Sequence, residues 1–76
     1  MQLSPHFHDD TAGRNPQRVS FQFAAAGTKQ TGILYVTMNV EGDAMALAPK
    51  AAKAAAKRAG CDAATVVLHR IMAPRS

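Results

Sequence analysis

The segment AMALAPKAAKAAAKRAG, residues 44–60, constrains this chain more than any other stretch. Alanine has the highest intrinsic helix propensity and lysine and arginine follow closely, so a helix is expected here. Pro49 fixes where it starts. Proline lacks an N–H and clashes with the preceding turn inside a helix, so the sequence predicts a loose turn over residues 44–47 with Pro49 in the first helical turn. Gly60 is expected to end the helix, since glycine takes positive φ without penalty. At about 3.6 residues per turn, Ala48, Ala52, Ala55, Ala56 and Ala59 share one face and Lys50, Lys53 and Lys57 the other. A face of methyl groups lets the helix axis approach a sheet closely. The bulky filling must then come from the strands, chiefly Phe21, Phe23, Val36 and Met38.

Those strands are legible as alternation. From Arg18, the residues Val19, Phe21 and Phe23 alternate with Arg18, Ser20 and Gln22, the pattern of a half-buried strand. Residues 26–29 supply a glycine-containing turn, and a second strand follows over residues 30–40, with Leu34, Val36, Met38 and Val40 on its core side. After the helix, residues 65–72 form a last strand and Pro74 closes the chain. The predicted fold class is α+β: a ββαβ unit with a three-stranded sheet and one Ala-rich helix on one face. A strand, returning helix and strand place the third strand parallel to the second, most simply with the first between them. One helix covers only one face, so Gln22, Tyr35, Thr37 and His69 are expected on an uncovered one.

The organisation read from the sequence is an irregular or partly disordered arm over residues 1–17, rich in turn formers, followed by a single domain over 18–76. Leu3 and Phe7 are the residues able to pin that arm. Of the 47% hydrophobic residues, 16 are alanine, so few large apolar side chains remain to exclude water, and dimerisation would help so small a domain. The single cysteine, Cys61, excludes an internal disulfide and fits a reducing compartment. No run approaches the roughly 18 apolar residues of a membrane span, and the first ten residues lack a signal-peptide layout, so a cytoplasmic protein without a membrane partner is expected.

Candidate chemistry is sparse. His6, His8, Asp9 and Asp10 are all capable metal ligands, but no second ligand pair accompanies them, and the segment is read as a solvated arm with no metal assigned. Cys61 and His69 lack an evident orienting carboxylate beyond Asp62, so no catalytic residue and no cofactor is assigned and the chain is read as a non-enzyme. Charge carries more content. The chain has a net charge of +4, and the basic excess lies in its C-terminal half. Lys50, Lys53, Lys57 and Arg58 form a basic helix face able to follow phosphates or an acidic protein surface, although lysines on a solvated helix need no partner. Tyr35 is the one candidate exposed aromatic on the sheet, which argues against base stacking of the kind RNA-binding sheets use.

The layout Asn15-Pro16, a short strand, a glycine-containing turn, a second strand ending Val40-Glu41-Gly42-Asp43, then Ala51-Ala52-Lys53-Ala54 in a helix, Gly60 and a hydrophobic last strand resembles small phage-encoded anti-CRISPR proteins. The resemblance spans residues 15–72. It implies a stoichiometric inhibitor that docks on a type I CRISPR surveillance complex and blocks target DNA binding or nuclease recruitment in the host cytoplasm. No catalytic residues transfer with it. Two other readings stand beside it: a basic nucleic-acid-binding module using the lysine face, and a structural subunit or homodimer that self-associates through open strand edges.

Overall fold

The computed structural model describes residues 1–14 and 16–73. Expectations that involve Asn15 and Pro74 lie outside the described residues. Four strands and one helix make an α+β fold: β1 (Gln2–Asp9), β2 (Arg18–Ala26), β3 (Thr31–Asn39), α1 (Ala48–Ala59) and β4 (Val67–Met72). Short 3-10 turns at Ala44–Leu47 and Ala63–Thr65 flank the helix. The first is the loose turn that Pro49 demands, and Pro49 sits in the first turn of α1.

The mixed sheet has the order β1-β4-β2-β3. β2 pairs antiparallel with both β3 and β4, so those two run parallel with β2 between them, as the ββαβ order predicts. The fourth strand corrects the expected arm: residues 2–9 are extended and pair in parallel with β4. Both ends of β1 are tied down, by Gln2 N–H to Val66 O and Asp10 N–H to Ile71 O, each 2.9 Å. Phe7 packs against the core, whereas Leu3 stays half exposed.

α1 lies over β2 and β3. Its six inward alanines, Ala48, Ala51, Ala52, Ala55, Ala56 and Ala59, meet Val19, Phe21 and Phe23, which are fully buried. The two phenylalanine rings stack with centroids 6.3 Å apart. Methyl-sized helix side chains leave room for those rings, so the core is filled from the sheet. Met38 contributes less than expected, being only partly buried; Leu34 is buried as its strand pattern predicts, and Val66, Leu68 and Ile71 fill space that the strand pattern left unassigned.

The helix end is clamped by the β2–β3 turn. An α-helix leaves its last carbonyls without internal partners. Here Lys29 and Gln30 donate their N–H groups to Ala59 O at 2.8 and 3.1 Å, and Thr28 N–H reaches Gly60 O at 3.2 Å. The approach is so close that a Cβ on Gly27 would lie 1.9 Å from Ala59 O. Gly60 ends the helix at φ 77°, as expected.

Candidate docking surfaces

The face of the sheet away from α1 is uncovered, and the strand register arranges its side chains in rows. Tyr35 lies opposite Gln22, Gln22 opposite Arg70, and Arg70 opposite His8, a row that crosses all four strands. Thr37 and Ser20 lead to Met72 on one side of it; Ile33 and Ala24 lead to Val67 on the other. The rows are cross-linked. Gln22 Nε2 donates to Tyr35 Oη at 3.1 Å, and the Ser20 and Thr37 hydroxyls are 2.8 Å apart. Asp10 joins the far end, with Oδ1 2.7 Å from His8 Nε2 and Oδ2 3.5 Å from Arg70 Nε. These links join the polar side chains to one another across the strands. Tyr35 and Ile33 are each 50% exposed beside them.

Three of the four residues expected on this face, Gln22, Tyr35 and Thr37, stand in these rows. His69 does not. Strict alternation would put His69 outward and Arg70 inward, but a bulge passes the register from Phe23–Leu68 directly to Gln22–Arg70. His69 has no partner on β2 and is half buried, while Arg70 takes the open-face position. Arg70, His8 and Asp10 are therefore the face residues that sequence reasoning missed. The bulge marks the local sequence only in that strict alternation would bury Arg70 and expose Ile71, and His8 and Asp10 reach the face through β1, which the sequence predicts as an irregular arm.

The helix presents the second candidate surface. Lys50, Lys53 and Lys57 are exposed, and among the described residues the ion pairs formed all involve Asp10, so these three cations have no anionic partner. Arg58 is different from its neighbours. Its Nη1 donates to the backbone carbonyl of Tyr35 at 2.6 Å, which ties the helix to β3. The basic face thus divides into three free lysines and one arginine already in use.

Most carboxylates outside this network hold backbone. Asp9 Oδ1 accepts from Thr11 N–H and Oγ1 at 2.8 and 2.6 Å; Asp43 and Asp62 cap the two 3-10 turns through Met45 N–H and Ala64 N–H, each 3.0 Å. A cleft of about 450 Å³ between Thr11, Arg14, Pro16 and Gly42 includes Asp9 and Asp43 in its lining, and both are committed to these turns. Among the described residues no three His, Cys, Asp or Glu side chains gather as a metal site. Cys61 is half buried beyond the helix end. No helix of the described residues is long and apolar enough to cross a membrane. No family model matches this chain, and neither a curated protein nor a solved structure does.

Proposed function

We propose that this chain is a non-enzymatic binding protein that docks on a protein partner through the uncovered side of its sheet. The observation that carries the reading is the set of cross-linked rows around Tyr35: polar side chains already held by one another, beside a half-exposed tyrosine and isoleucine. Side chains already paired with one another have less rotamer freedom to lose on binding, and tyrosine supplies large contact area with few torsions. In its specific form, which rests on the resemblance of residues 15–72, the chain is a phage-encoded stoichiometric inhibitor. It acts in the host cytoplasm on a type I CRISPR surveillance complex and blocks target DNA binding or nuclease recruitment.

Mixing the purified chain with a purified type I surveillance complex tests this directly. The proposal expects co-elution at a fixed ratio and loss of target DNA binding or of nuclease recruitment. The second reading, a nucleic-acid-binding module, is favoured by the unpaired lysines of α1. It expects the chain alone to bind duplex or single strands with affinity that falls steeply as salt rises. Salt-dependent binding to naked nucleic acid without co-elution would replace the first reading by the second.

A further inference from the structure

Sheet pairing leaves half of the backbone groups of an edge strand unpaired, and β3 is such an edge. Two hydrogen bonds fix which half. Val40 N–H donates to Gln17 O at 2.9 Å and Gly27 N–H to Gln30 O at 3.0 Å, so even-numbered residues of this stretch turn their backbone toward β2. Backbone direction alternates along a strand. Thr31, Ile33, Tyr35, Thr37 and Asn39 therefore direct N–H and C=O outward, and the Arg58 bond to Tyr35 O agrees with that parity. The strand is registered with β2 over its nine residues without a bulge, and TGILYVTMN contains neither proline nor charge.

We infer that this edge receives an extended segment of the partner protein, with acidic side chains toward α1 and apolar side chains toward the open face; the inference rests on the protein-binding reading above. α1 lies over β2 and β3, and Arg58 reaches the edge carbonyl of Tyr35, so a cation stands on the helix side of the edge. Lys50 and Lys57 follow on the same helix without ion pairs. Side chains of an added strand alternate between faces. One row extends the open face beside Ile33 and Tyr35, where apolar groups gain contact. The other meets Arg58, where a carboxylate gains a bidentate partner. On docking, a backbone N–H of the segment takes the Tyr35 carbonyl and the guanidinium passes to that carboxylate. The two candidate surfaces are thus the two sides of one site.

A second copy of this chain is a poorer occupant. β3 has no carboxylate to offer Arg58, and pairing two such edges brings together two chains of net charge +4. A nucleic acid strand has no peptide ladder to satisfy the outward groups.

The test uses the full isotope-labelled chain and two peptides of about ten residues, the length of an ordinary strand, one alternating Glu with Val and the other Lys with Val. The Glu–Val peptide should slow amide exchange at Ile33, Tyr35 and Thr37 roughly tenfold or more at saturation, and the Lys–Val peptide should not. Arg58→Glu, checked for an unchanged fold by its amide spectrum, should weaken Glu–Val binding roughly tenfold. Equal protection by both peptides, no protection by either, or shifts confined to the lysines of α1 would overturn the inference, as would a DNA duplex protecting the same amides. The peptides contain no CRISPR component. Their failure beside intact co-elution rejects the edge alone; their success beside failed co-elution rejects only the proposed partner.

Discussion

The two edges of this sheet are built in opposite ways. At β1 the chain carries Pro5, which has no N–H to offer, and its register with β4 slips between Leu3 and His8. The His6 N–H in that stretch is turned onto Ser4 Oγ at 3.1 Å, and Ser4 is buried. These are devices that keep a second strand from pairing there. At β3 the strand is uncharged and in unbroken register, and the arginine of the neighbouring helix covers one outward carbonyl. One edge is interrupted, while the other keeps its register beneath the Arg58 guanidinium. An open, uncharged edge is an aggregation hazard unless it has an occupant, so the contrast supports the proposal that β3 is the docking edge.

That contrast can be broken at several points. The largest effect is expected for Gly27→Ala, which pushes a methyl group into Ala59 O and undoes the clamp that seats β3 under α1. Urea denaturation should show a loss of roughly 3 kcal/mol or more, at or above the usual cost of overpacking. A near-neutral result would mean that β3 is not held by this clamp. On the other side, Phe7→Ala should cost roughly 1–2 kcal/mol, below the ~3–5 kcal/mol of a fully buried phenylalanine, because Phe7 is only partly buried. It should leave Glu–Val binding unchanged; a parallel loss of binding would tie the two edges together. Asp10→Asn removes the exposed link among His8, Arg70 and the β1 end. Its cost should stay within roughly 1 kcal/mol and shrink in high salt. Smallest in stability, within roughly 0.5 kcal/mol, is Lys50→Glu with Lys57→Gln on the exposed helix face. Glu–Val affinity should nonetheless fall a few-fold, less than for Arg58→Glu.

How much of this was legible in the sequence differs along the chain. The helix, its Pro49 start and Gly60 end, and the alternation of Val19, Phe21 and Phe23 are local signals, and the structure follows them. β1 is less legible: the sequence predicts an irregular arm there, although Leu3, Pro5 and Phe7 do alternate with Gln2, Ser4, His6 and His8. Proline inside the run argued against a strand, and the partner β4 lies at the other end of the chain, so no turn announces the pairing. The bulge at His69 shows locally only as an alternation that would bury Arg70 and expose Ile71; its position is set by the register with Gln22 and Phe23. Arg58 could be placed on a basic face from spacing alone. Its bond to Tyr35 O needed the helix and β3 in place together.

Residue-resolved amide exchange of the free, full chain at low concentration tests the central claim most directly. The outward amides of Ile33, Tyr35 and Thr37 should exchange much faster than those of Leu34 and Val36, which face β2, because the edge is open. Equal protection of both sets, retained on dilution, would show that the edge is already satisfied within the molecule and would contradict the account.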